Sequence, residues 1–292
     1  MSAPGRLDPQ TQFLRACALD VAVRKPGNVS AASPGHGMDA RLFLDSADAA
    51  QHGLFAPGAR VGTRIEAAVT ATLEVAGCNT NLGIVLLCAP LALAIERCAA
   101  PCNATSLRRS LQGVLDGLDI EDARAAFRAI AAAHPGGLGR AEQQDVNAAP
   151  STSLLEAMRL AADRDRIALQ YVSAHDDLFG IGLTSLAAHA PWPGEVDEAA
   201  VQALYLAFLG RFPDSHIVRK FGPQQAQAVT DEAAPWLRRA ERGEPVGADP
   251  AFAAWDDSLK ARGLNPGSSA DLTVASLFIA GAVGTAELPV PP

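Results

Sequence analysis

Apolar residues recur at helical spacing through almost every segment between the turns of this chain, and alternating, strand-like runs are nearly absent. A chain patterned in this way can bury its faces only by packing helix on helix. Composition agrees: 49% of the 292 residues are hydrophobic but only 5% are aromatic, so the interior must be built from Ala, Leu, Val and Ile, which suits closely packed helices. The expected fold is all-α, a single large helical domain of about a dozen helices around a central polar pocket. The pattern predicts helices over 9–24, 39–52, 61–77, 80–99, 105–116, 120–133, 151–162, 164–189 with a break near Gly180, 197–210, 223–242, 250–262 and 269–283. The polar, glycine-bearing stretch 134–150 reads as a flexible, exposed connection within the domain, because the helices on both sides are equally apolar.

The net charge of −8 argues against nucleic acid or an anionic membrane as partner, since either needs a basic face. The longest apolar run, Leu82 to Ile95, falls short of the ~20 residues of a membrane span and is interrupted by Pro90, so it reads as a buried helix. The first residues lack the apolar core of a secretory signal. The five cysteines are odd in number and sit mostly in apolar periodic segments, which fits reduced thiols in a cytoplasmic protein. Cys98 and Cys102 form a lone C-x3-C, a weak zinc signal.

Five stretches look wrong for packing alone. "RKPGNVS" (24–30) is either a helix end with dipole-complementing cations or an anion site, in which turn N–H groups and Lys25 hold phosphate. "GCNTNLG" (77–83) follows a helix carrying Glu66, and one of Asn79, Thr80 and Asn81 can cap the next helix, leaving two polar groups for a tight turn or for a ligand. In "RDRIALQYVSAHDDLF" (164–179) helical spacing puts Asp165 and Asp176 on one face, as a solvated patch or a cation site. "PDSHIVRKFG" (213–222) offers Arg219 and Lys220 to phosphate, with His216 either structural or titrating. "NPGSSADL" (265–272) is either an ordinary capped helix start or an anion-binding mouth, with Asp271 beside it for a divalent cation.

Taken together, "KPGNVS", Asp39 after "GHG", Glu66, "NTNLG", "RDRIALQY", "DSHIVRKFG" and "NPGSSADLTVASLFIAG" resemble, in order and over roughly 14–282, the triphosphoribosyl-dephospho-CoA synthase family. The resemblance implies an all-helical transferase that joins ATP to 3'-dephospho-CoA, releasing adenine and giving 2'-(5''-triphosphoribosyl)-3'-dephospho-CoA, with ATP as substrate and Mg²⁺ as the expected cation. Carried onto this chain, it implies Lys25, Gly27, Asn28, Asn79, Thr80, Arg219, Lys220 and Ser269 as nucleotide- or phosphate-binding. It implies Asp39, Glu66, Asp165 and Asp271 as metal ligands, and Glu66, Asp176 and Asp271 as catalytic.

Relatives that make the citrate-lyase prosthetic group read "NTHKG" where this chain has "NTNLG", so Asn81 and Leu82 replace two candidate cations. These forms look more like a branch of archaea and of bacteria that use tetrahydromethanopterin, which implies as alternative a related phosphoribosyl transfer in the biosynthesis of that cofactor. A non-catalytic nucleotide-binding protein is the alternative of another class. Small-molecule nucleotides are the expected partners, and the alanine-rich helices suit packing within one subunit or across a homodimer.

Overall fold

The computed structural model describes residues 8–99, 102–137, 143–189 and 197–284. Among these there is no strand or sheet, only isolated bridges at Ser30–Ser33 and Gly35–Met38. Fourteen α-helices follow in order: α1 (Pro9–Ala22), α2 (Ala40–Leu54), α3 (Val61–Ala76), α4 (Leu82–Arg97), α5 (Ala104–Asp116), α6 (Ile120–Ala133), α7 (Leu154–Arg159), α8 (Arg166–Val172), α9 (Leu183–Ala187), α10 (Glu198–Leu209), α11 (Ser215–Phe221), α12 (Pro223–Glu241), α13 (Pro250–Ala261) and α14 (Gly267–Val283). The all-α expectation holds.

Three helices are apolar all round, and these are the ones the others wrap. In α14, 15 of 17 residues are buried, a pattern compatible only with neighbours on every side. Its Leu272–Val283 stretch belongs to a core shared with α1–α6, whereas Ala270 belongs to a second core with α11–α13. α10 is divided in the same way, with Val201, Leu204 and Phe208 in the first core and Tyr205, Leu206 and Leu209 in the second. α4 is the third, and it runs straight through Pro90 instead of being interrupted there. The physical reason is visible: a proline has no N–H for the carbonyl four residues back, and the Tyr171 hydroxyl donates to the Leu86 carbonyl at 2.7 Å in its place. No helix among the described residues is long and apolar enough to cross a membrane.

Two local expectations change. The helix expected over 151–162 begins later, at Leu154, with Ser153 as its cap, the Oγ accepting from Glu156 N–H. The long helix expected over 164–189 is broken earlier than Gly180, at Ala174 and His175, whose φ values of 50° and 55° are left-handed. A π turn (Leu178–Gly182) then leads into α9. Asp165 and Asp176 therefore do not share a helix face. Of the stretch 134–150, residues 138–142 lie outside the described residues.

His175 has a consequence for stability. It is fully buried and neither ring nitrogen has a partner. Burial first, then the Arg108 charge, pushes its pKa down from 6.5 to about 3. The folded state thus keeps the ring neutral where the unfolded chain binds a proton, so stability is present above pH 6.5 and lost as pH falls toward 3. By roughly pH 5 the loss is about 2 kcal/mol. Urea midpoints should fall between about pH 7 and pH 5, and His175→Asn, which tolerates a left-handed backbone, should flatten that decline. Equal slopes in the two proteins would rule His175 out as a cause.

Candidate active site

The first and last of the unusual turns, far apart in sequence, are packed face to face. Gly27 has φ +81°, and a Cβ there would lie 2.7 Å from Pro266 Cδ and 2.8 Å from the Leu264 carbonyl, so only glycine allows the approach. The Gly27 N–H donates to Asp256 Oδ1 (2.8 Å) on α13, and the Tyr205 hydroxyl donates to the Pro26 carbonyl (2.7 Å). Asn28 Nδ2 donates to Asn265 Oδ1 (2.9 Å), joining the two turns directly.

Beside this junction opens a cavity of about 430 Å³. Its polar wall carries Asp20, Asn28, Asn79, Thr80, Asp165, Arg219 and Asp271, with His216 and Asn265; its apolar wall comes from α4, α6 and α7. Six of the sequence-expected residues therefore meet in one hollow: Asn28, Asn79, Thr80, Asp165, Arg219 and Asp271.

Within that group the roles differ. Asn79 Oδ1 accepts from Leu82 N–H (3.1 Å) and so caps α4, while Thr80 Oγ1 donates to Ser46 Oγ (2.7 Å). Asp165 caps α8, accepting from Ile167 and Ala168 N–H groups, and its other oxygen pairs with Arg219. The Arg219 Nε–H is buried without a partner. Asp271 differs from all of these: no hydrogen bond or ion pair reaches it among the described residues. Burial, followed by the charges of Asp214 and Asp20, holds its pKa well above the usual carboxylate range. It lies against the first turn of α4, where a Cβ on Gly83 would be 2.0 Å from its Oδ2. The helix N-terminus there is a favourable place for an anion. Gly83→Ala should push the Asp271 carboxylate aside, lowering activity about 10²-fold while leaving the helix intact. An alanine variant with unchanged turnover would show that this placement is not needed.

The remaining expected residues lie elsewhere. Lys25 is fully buried and turned inward, its Nζ donating to the Asp20 carbonyl (2.7 Å) and standing 3.2 Å from Asp20 Oδ2, so it is not free for phosphate. Gly27 spends its N–H on Asp256. Ser269, at the expected anion mouth, gives both its N–H (2.7 Å) and its hydroxyl (2.8 Å) to Asp214 Oδ2. The protein's own carboxylate thus occupies the helix start where an external anion was expected. Lys220 is exposed and packs its chain over Gly136. Glu66 forms a bidentate pair with Arg128 (2.6 and 2.7 Å) between α3 and α6, outside the cavity. Asp176 pairs with Arg108 at 2.6 Å on the surface, and Asp39 is an exposed cap whose Oδ1 accepts from Leu42 N–H at 3.0 Å. These three carboxylates do not converge with Asp271. The physical reason is that each has a local partner supplied by a neighbouring helix or by its own helix start.

Sequence reasoning missed Asp20, a buried acid on α1 that lines the cavity, because a single aspartate within a helix resembles any exposed one. Its only signal is Lys25 five residues later. It singled out His216 without placing it; the ring lines the cavity, with Nε2 buried and unpartnered, and burial, then Arg219 and Lys220, lowers its pKa to about 3. It therefore stays neutral near pH 7.

The family comparison settles what kind of protein carries this hollow. The model of the CitG family, ATP:dephospho-CoA triphosphoribosyl transferase, matches residues 7–288. The chain belongs to that family. The family is one of transferases, so the chain is an enzyme. No curated protein matches the chain. Among solved structures, a triphosphoribosyl-dephospho-CoA synthase from Archaeoglobus fulgidus is similar, with TM-score 0.64 and 23% identity over 82% of this chain and 99% of that one. At that identity the likeness speaks for the shared fold.

Proposed function

We propose that this CitG-family chain transfers the triphosphoribosyl group of ATP to dephospho-CoA, with Asp271 as the reacting carboxylate. The observation that carries this reading is an unpaired, half-buried carboxylate in the polar wall of the cavity where six of the expected residues meet. In the transfer, the bond from ribose C1' to the adenine nitrogen breaks and a bond from C1' to an acceptor hydroxyl oxygen forms. The hydroxyl proton leaves and the departing adenine gains one, so atoms balance. Positive charge develops at C1' as the base departs. A carboxylate with raised proton affinity suits the removal of the hydroxyl proton, and when ionised it also stabilises that charge. Arg219, with a free Nε–H, and the amide of Asn28 would orient phosphate and ribose.

Mg²⁺ fits the residues present in one particular way. Among the described residues no group of three or more His, Cys, Asp or Glu side chains could hold a metal. Mg²⁺, however, commonly takes one or two carboxylates and completes its shell with substrate phosphates and water. Asp271 and Asp20 can supply those carboxylates. Bound there, the cation would offset phosphate charge in a cavity whose wall is more acidic than basic.

The test is adenine release from ATP, followed by chromatography, with and without 3'-dephospho-CoA. Adenine formed only with the acceptor, and retained in Glu66→Gln, supports the reading. A second reading draws on Leu82, which lines the cavity, and on Asn81, whose amide donates to the Ser46 carbonyl (3.4 Å), so neither position supplies a cation. It predicts phosphoribosyl transfer to a ribityl hydroxyl of a pterin cofactor, seen as turnover of phosphoribosyl pyrophosphate in place of ATP. Absence of adenine with dephospho-CoA would overturn the first reading.

A further inference from the structure

We propose that Asp20 and Asp271 together form the seat of a divalent cation in the cavity wall, and that Lys25 serves to hold Asp20 in place. The inference deepens the function proposed above and rests on it for the purpose of the cation, whereas the seat itself belongs to the protein without substrate.

One carboxylate oxygen of Asp20 has nothing to bind. Asp20 is 4% exposed and lines the cavity. Its Oδ2 faces Lys25, but its Oδ1 is buried with no hydrogen-bond partner. Buried carboxylate oxygens are almost always satisfied, because removing one from water without a donor is unfavourable. Lys25 cannot serve both oxygens: its Nζ is also committed to the Asp20 carbonyl at 2.7 Å, with the Val29 carbonyl at 3.5 Å. The same ammonium therefore ties the end of α1 to the following turn and fixes the carboxylate rotamer.

A second acid lies within electrostatic range. Asp271 comes from the opposite end of the chain, reaches the same cavity, has no partner among the described residues, and feels the Asp20 charge. Gly83 leaves room for it, and its Oδ2 would be 2.0 Å from a Cβ there. The nearby cation of the wall, Arg219, is already paired with Asp165. Asn28 completes the set: its Nδ2 is spent on Asn265, which leaves its amide oxygen for the cavity. Two carboxylates and one amide oxygen are hard ligands without nitrogen or sulfur, the donor set of Mg²⁺ or Mn²⁺ and not of zinc or copper. The turn that packs Gly27 against Pro266 is what brings Asp20, Asn28 and the start of α14 to one place.

The probe is Mn²⁺ alone, added to metal-free protein with no nucleotide, the free ion being read by electron paramagnetic resonance. One Mn²⁺ should bind per chain and be displaced by Mg²⁺. Asp20→Asn and Asp271→Asn, which preserve shape and come from different helices, should each weaken binding roughly tenfold or more. Glu66→Gln and Asp39→Ala should bind as wild type. Circular dichroism establishes that each variant is folded. Absence of binding in the wild type, or wild-type affinity in a folded Asp20→Asn protein, overturns the seat. Intact Mn²⁺ binding without adenine release would instead overturn the proposed reaction and leave the seat standing.

Discussion

Asparagine at position 271 is expected to lower turnover about 10²–10⁴-fold, the range that a positioned acid–base group contributes, and at the same time to make the metal-free protein more stable at neutral pH. The second half follows from the sign of the proton linkage. Burial and the neighbouring carboxylates raise the folded-state pKa of Asp271 well above its ordinary value of 3.8. Such a group contributes stability that is fully present below 3.8 and is lost as pH rises through the raised value. Near pH 7 the wild type therefore holds an unfavourable charge, or keeps a proton that the unfolded chain gives up. Asparagine has neither penalty. Melting temperatures measured in chelator should be higher for Asp271→Asn than for wild type near pH 7.5, and the gap should close toward pH 4. An active enzyme, or a variant destabilised equally at both pH values, would refute the assignment of Asp271 as an unpaired functional acid. The combination matters because structural acids behave in the opposite way: removing one breaks its bonds and lowers stability.

Lys25→Met should be among the most destabilising single changes in the protein. Lys25 is fully buried, and its ammonium stands 3.2 Å from Asp20. Removing one partner of a buried ion pair leaves the other charge uncompensated, at a cost of about 3–5 kcal/mol. Burial raises the Asp20 pKa even with Lys25 present, so the orphaned acid will bind a proton, and the loss should shrink at lower pH. The double variant Lys25→Met, Asp20→Asn should recover much of the stability. Urea unfolding of the three proteins measures this directly, and a loss below about 1 kcal/mol in the single variant would refute the pair as a structural tie.

These two residues show why the site was only partly legible. Lys25 and its "KPGN" setting stood out in the sequence, and the position is important, but the lysine points away from the cavity that it supports. A one-dimensional pattern marks which residues are unusual for a helix end; it does not say whether the side chain turns outward to a ligand or inward to a carboxylate five residues earlier. Ser269 failed for a related reason. The start of α14 does attract an anion, as the helix dipole requires, yet that anion is Asp214, a cap on α11 that the fold brings across. Glu66 and Asp176 each acquired an arginine from a neighbouring helix, Arg128 and Arg108, and no spacing rule reports that.

Local pattern alone was enough for the helical class, the position of most helices and the burial of α4, because periodicity and apolar run length act within a few turns of chain. It was also enough to mark the Asn79–Asn81 turn and the Gly267–Asp271 helix start as polar where packing would not ask for polarity. Tertiary packing alone decided which acids were left without a partner. Asp271, and one oxygen of Asp20, are in that state because distant segments surround them with apolar helices and provide no arginine, and burial relative to other segments is a property no short stretch of sequence contains.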